Sequence, residues 1–130
     1  LAAIAAAKGE TETAVQAYDN VADSTGDAML RGFARIQAAT LLVDTAAPAE
    51  IEDRIGDMRD DTSPWRHSAR ELLALSAFKA DQDEKASTLY QELLSDGETP
   101  GPMRQRAQMM LELINAPAAG EPRDAAAAVQ

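Results

Sequence analysis

Six arginines are the residues of this chain best suited to hold a ligand. They stand in or beside three related phrases: Met29-Leu30-Arg31-Gly32-Phe33-Ala34, Pro64-Trp65-Arg66-His67-Ser68-Ala69 and Pro102-Met103-Arg104-Gln105-Arg106-Ala107. If each phrase opens an equivalent helix, Arg31, Arg35, Arg66, Arg70, Arg104 and Arg106 align as a basic ridge on an acidic body. A guanidinium is a rigid fork that grips a carboxylate through two parallel N–H bonds. The ridge is therefore suited to docking a carboxylate-bearing peptide end. The alternative is that it pairs with acidic neighbours such as Glu71, Asp60 and Asp61.

The remaining polar residues point away from catalysis and metals. His67, the single histidine, lies between Arg66 and Arg70 and has no companion for metal ligation or nucleophilic chemistry. It is expected at the surface or at a groove edge. Asp57, Asp60 and Asp61 form the densest acidic cluster, but an EF-hand needs alternating ligands, a central glycine and a closing glutamate. That spacing is absent, as are a Gly-rich phosphate loop and a nucleophile elbow. With no cysteine, disulfides and thiolate zinc sites are excluded. No catalytic residue, cofactor or metal is expected. The net charge of −10 disfavours nucleic acid and anionic membrane surfaces and favours solubility or basic partners.

The elements that position these residues read as helices. Alanine dominates the apolar share and aromatics are only 4%, which favours helix over strand. Seven segments emerge. The first, 1–7, closes at Lys8-Gly9, with glycine where a C-cap wants it. The others span about 10–23, 27–44 with Asp27 as N-cap, 48–59, 64–80 capped by Ser63, 83–95 and 100–115. No stretch alternates with period two, so no sheet is expected. Residues 116–130 carry Pro117, Gly120 and Pro122 and read as an irregular tail, with Asp124 to Val129 able to form a short helix if docked.

Ala34, Ala69 and Ala107 lie 35 and 38 residues apart. A period near 34 residues marks stacked helix–turn–helix units, whose concave faces commonly bind proteins. The second helices repeat as well. Ala14, Tyr18 and Val21, then Ala86, Tyr90 and Leu93, fall at i, i+4 and i+7, and Ile51, Ile55 and Met58 fill the same places between them. Ile51 replaces the alanine, so the middle pair should be less regular, with its second helix pushed outward.

Ala74 with Ala86, Tyr90 and Leu93, and Ala2 with Ala14, Tyr18 and Val21, resemble the small–Ala–aromatic–apolar pattern of tetratricopeptide (TPR) units. The resemblance implies an all-α fold, a TPR-like right-handed solenoid of about seven antiparallel helices, three pairs plus a terminal helix, over residues 1–115. More narrowly, Leu41-Leu42-Val43-Asp44-Thr45 and Ser63-Pro64-Trp65-Arg66-His67-Ser68-Ala69 resemble the TPR-like domain of alphaproteobacterial membrane-anchored proteins similar to the ancillary subunit of the bacterial Sec translocon. That implies a periplasmic domain held to the inner membrane by an anchor outside this chain, with translocon subunits or periplasmic chaperones as partners. The mid-helix start at Leu1 is read as that of a fragment. The expected function is a non-catalytic protein-interaction module. The alternative is a self-association domain that buries its apolar faces between copies, as a homo-oligomer.

Each first helix carries two apolar sets. Ala34, Ala38 and Leu42, then Ala69, Leu73 and Ala77, then Ala107 and Leu111, should face the partner helix of the pair. Phe33, Ile36 and Val43, then Glu71, Leu75 and Phe78, then Arg106, Met109 and Leu113, should line the concave groove. A peptide, or a covering layer of chain, is expected over that groove, because an apolar patch of this size is seldom left bare. Trp65, the sole tryptophan, is expected to anchor adjacent helix pairs; an interface hot spot is the alternative.

Overall fold

The computed structural model describes residues 2–116, with side chains from residue 7 onward. The described chain is all-helical: α1 Ala2–Ser24, α2 Ala28–Leu42, α3 Pro48–Ile55, α4 Arg66–Lys79, α5 Asp83–Ser95 and α6 Gly101–Asn115, with a 3-10 turn Gly56–Arg59 after α3. Each helix packs on its neighbours in sequence, and α2 also meets α4. The irregular tail expected over residues 116–130 lies, from residue 117 onward, outside the described residues.

The expected break at Lys8-Gly9 does not occur. α1 runs through both residues as one helix, so the described residues hold six α-helices rather than seven, with no hairpin between residues 2–7 and 10–23. One glycine costs a helix only about 1 kcal/mol. Ala2–Ala7 and the following turns supply enough good helix formers to absorb that. The packing stripe of α1 shifts accordingly: Val15 is buried, whereas Val21, expected inside, is 37% exposed.

Elsewhere the local signals act as read. The Asp27 carboxylate accepts from the Met29 and Leu30 amides at 2.9 and 3.2 Å and starts α2. Ser63 Oγ accepts from the Trp65 amide at 3.1 Å, but Ser63-Pro64-Trp65 forms a turn and α4 begins at Arg66. α4 ends in a Schellman arrangement: the Gln82 amide reaches the Ala77 carbonyl and the Asp81 amide the Phe78 carbonyl. Asp81 takes the left-handed position usually given to glycine, with φ of 61°.

The core follows the repeat. Ala34, Ala69 and Ala107 are all at most 1% exposed, and Ile51, Ile55, Ala86, Tyr90 and Leu93 are buried with them. Small side chains let the helices come close, and Gly32 takes this furthest. The Trp65 indole lies against Gly32 so closely that a Cβ there would overlap it. Trp65 thus anchors the start of α4 on the middle of α2, and its half-buried ring is part of the core's edge.

Two glycine substitutions should behave oppositely. Gly9 is mid-helix with open space around it, so Gly9→Ala should stabilise the fold by about 0.5–1 kcal/mol. Gly32→Ala should destabilise it by about 1–3 kcal/mol through overpacking on Trp65. Urea denaturation of both variants measures this; a destabilising Gly9→Ala would restore the hairpin reading.

Candidate interaction surface

The arginines do not form a free ridge. Arg35 donates to Asp57 Oδ1 and Oδ2 at 2.6 and 3.2 Å, and also to the Arg54 carbonyl. Arg31 donates to the Thr25 carbonyl at 3.1 Å. Arg104 donates to the Leu94 and Asp96 carbonyls at 2.7 and 2.8 Å, reaching from α6 to the end of α5. Arg106 and Glu71 form a two-bond fork of 2.7 and 2.9 Å. The expected carboxylate-docking ridge is therefore replaced by the other reading, internal pairing. Arg35, Arg66 and Arg70 meet carboxylates in the segments that follow α3 and α5, Arg106 meets Glu71 of α4, and Arg31 and Arg104 meet backbone carbonyls.

Asp96 is the centre of this pairing. Its Oδ2 accepts from Arg66 Nε at 2.6 Å and Arg70 at 3.0 Å, and its Oδ1 accepts from the Glu98 amide at 3.0 Å. Arg66 also reaches Glu98 at 2.9 Å. Arg70, only 5% exposed, reaches Asp61 at 2.7 Å and the Arg59 carbonyl at 3.1 Å. Arg59 in turn holds Glu92 at 2.7 Å. Apart from Glu98, these residues line an open cleft of about 680 Å³. Arg59, Arg66 and Arg70 there face Asp60, Asp61, Glu92 and Asp96, so the cleft has no strong preference for either sign of ligand. Sequence reasoning missed Asp96 as the hub; the only available signal was its position beside Gly97 at a helix end.

His67 sits at the edge of the same cluster, half-buried. Its Nδ1 lies 3.2 Å from Thr99 Oγ1 and 3.8 Å from Asp96 Oδ2. Burial lowers its pKa, and Arg66 adds to this, against the opposing pull of Asp96. The hydrogen bond from Arg66, then that from the Glu98 amide, holds the Asp96 carboxyl far below the usual carboxylate range. The hydrogen bonds from Arg35 likewise lower Asp57. Among the described residues no cluster of histidine or carboxylates is arranged to hold a metal.

The apolar candidates divide. Ile36 and Val43, expected in the groove, are 6% and 8% exposed. At about 100° per residue they share an arc of α2 with Gly32 and Ala39, the arc on which Trp65 is seated. They belong to the α2–α4 seam, not to an open face. Phe33, about 100° around α2 from Gly32, lies at the border of that arc and is 41% exposed. It contacts Tyr18 of α1 and Trp65, with ring centroids 6.4 and 6.3 Å away.

The Glu71–Arg106 fork links α4 to α6, and one and two turns further along each helix come Leu75 and Phe78 on α4 and Met109 and Leu113 on α6. Leu75 and Phe78 are half-buried, and Phe78 packs against the core. Met109 and Leu113 are 62% and 46% exposed. Glu71 and Arg106 serve as the clamp of this surface rather than as free polar contacts. No family model matches the chain, and no curated protein or solved structure matches it either.

The pH dependence has a defined sign. A carboxyl lowered in the fold contributes stability that is full above its ordinary value, 3.8 for Asp96, and lost as pH falls through the folded value. His67, lowered from 6.5, acts in the same direction at higher pH, because the unfolded chain takes up the proton first. Denaturant titrations across pH should therefore show stability falling below pH 6.5 and again below about pH 4. His67→Gln should remove the upper step. Asp96→Asn should flatten the lower one.

Proposed function

We propose that this chain is a non-catalytic protein-interaction module that receives a partner on the α4–α6 side. The observation that carries the reading is the Glu71–Arg106 fork between α4 and α6, with Met109 and Leu113 exposed on α6 and Leu75 and Phe78 half-buried on α4. Polar groups there are engaged with each other, so what the surface offers a partner is apolar contact. An exposed methionine next to aliphatic and aromatic side chains suits a helix or extended segment that buries its own apolar stripe.

The architecture in this proposal is a TPR-like right-handed solenoid. Two helix pairs, α2–α3 and α4–α5, stand between single helices α1 and α6. Burial of Ala34, Ala69 and Ala107 at one repeat position, and of Ala86, Tyr90 and Leu93 in α5, supports it. The resemblance to domains of the Sec ancillary type extends the proposal to the periplasmic side of the inner membrane. Translocon subunits or periplasmic chaperones are then the partners, in secretion or envelope assembly. No described helix is long and apolar enough to cross a membrane, so in this proposal attachment is through an anchor outside the chain.

A photocrosslinking side chain placed at Met109, in native membranes, tests this reading. Crosslinks to translocon subunits or chaperones that disappear in Leu113→Glu are expected. Crosslinks to another copy alone, or crosslinks indifferent to Leu113→Glu, would overturn it.

A further inference from the structure

Gly97 follows Asp96, and the two form the one Asp–Gly step in a chain that has no Asn–Gly step either. An Asp–Gly step is prone to isomerise, because glycine puts no Cβ beside the amide nitrogen that must approach the preceding carboxyl carbon. The Gly97 nitrogen attacks Cγ of the protonated Asp96 carboxyl and gives up its proton. The carboxyl hydroxyl departs as water and a five-membered succinimide closes. Water then adds back. When it cleaves the bond between the Gly97 nitrogen and the former main-chain carbonyl carbon, the chain runs on through Cβ and Cγ as isoaspartate. One water is lost and one regained, so the mass does not change.

The place of this step in the fold sets its chemistry. Asp96 and Gly97 both line the open cleft with Arg59, Arg66 and Arg70, and Gly97 is exposed, so water reaches them. The folded loop nevertheless withholds the electrophile. Oδ2 accepts from Arg66 Nε at 2.6 Å and from Arg70 Nη1 at 3.0 Å, and Oδ1 accepts from the Glu98 amide at 3.0 Å in an Asx turn. Charge-assisted bonds of this kind hold the carboxyl ionised, and a carboxylate has no hydroxyl to release as water. Attack on Cγ therefore waits for a local opening in which the arginines let go.

The product cannot rebuild the same contacts. The Asp96 main-chain carbonyl accepts from Arg104 Nη2 at 2.8 Å. In isoaspartate the carbon that bore Oδ1 and Oδ2 becomes a main-chain amide, and the old carbonyl carbon becomes a free carboxylate without a methylene spacer. The main chain between α5 and α6 lengthens by one methylene. Arg66, Arg70 and Arg104 all lose the atoms they hold.

We propose that Asp96–Gly97 is a modification site of this protein, kept shut by Arg66 and Arg70 while the chain is folded. Its conversion to isoaspartate when the loop opens unties that loop from α4 and from the first turn of α6.

Isoaspartate formation on the whole chain tests this. The folded chain, the chain in guanidinium chloride and two variants are held in warm neutral buffer for weeks. Methyl transfer by an isoaspartyl methyltransferase counts the product, and chromatography of proteolytic peptides, which separates isomers of equal mass, locates it. Product at Asp96 should accumulate at least about tenfold faster in guanidinium chloride than in the fold. Arg66→Gln, with its helices checked by circular dichroism, should fall between the two. If that variant does not fold, Arg66→Lys, which keeps the charge and loses the planar fork, takes its place and is read in the same way. Gly97→Ala, at a position with open space for a Cβ, should fold like the parent and form almost no product in either solvent. The purified isoaspartate form should unfold at lower denaturant than the parent. Equal rates in the folded and unfolded chain, a main product at another aspartate such as Asp23, a folded Arg66 variant no faster than the parent, or an isomer as stable as the parent would each overturn the proposal.

Discussion

The Asp96 carboxylate, between Arg66 and Arg70 of α4, is the interaction on which the rest of the structure turns. Its backbone carbonyl also receives Arg104 from α6. One acidic residue in the α5–α6 loop thus ties together the start of one helix, the end of the next and the first turn of a third. Arg70 is almost fully buried, and a buried guanidinium without partners would be costly. The carboxylates around it, Asp61, Glu92 and Asp96, make that burial tolerable. The network fixes the order of α4, α5 and α6 and consumes the cations that were the likeliest ligands for a carboxylate.

A consequence is that charge and apolar surface are separated. The loop end of the helices is polar and internally neutralised, while the faces left open are apolar: Met109 and Leu113 on α6, and Leu30, Phe33 and Leu41 on α2. The surplus negative charge of the chain is carried by other positions, among them Glu10, Glu12, Asp23 and Asp53, all exposed. Charge covers one part of the surface and exposed apolar side chains stand on two others, on α2 and α6.

Close approach of helix backbones sets which apolar residues remain outside. On α2, Gly32 admits the Trp65 ring, and the same arc then draws in Ile36 and Ala39. Leu30, on the opposite side of the helix, and Phe33, at the border of the arc, stay exposed. On α4 the buried arc holds Arg70, Leu73, Ala74 and Ala77.

Helix content, the Asp27 cap, the span of α5 and the burial of Ala34, Ala69, Ala107, Ala86, Tyr90 and Leu93 were all legible in the sequence. These depend on local propensity and on spacing along one helix, both of which short-range steric and hydrogen-bonding rules set. The continuity of α1 through Gly9 was not legible, because glycine ends a helix only when the chain has a reason to turn, and the rest of the fold supplies none there. Nor was the fate of Ile36 and Val43. An amphipathic helix with two apolar arcs does not say which arc will meet a neighbour, and only the seating of Trp65 on Gly32 chose between them. The arginines were visible as a group, but whether they faced solvent or carboxylates depended on loops some thirty residues away in the chain. Sequence determined the elements and their apolar positions; tertiary structure decided which sides were covered, because covering a side takes contact with a second element whose distance and rotation no local pattern encodes.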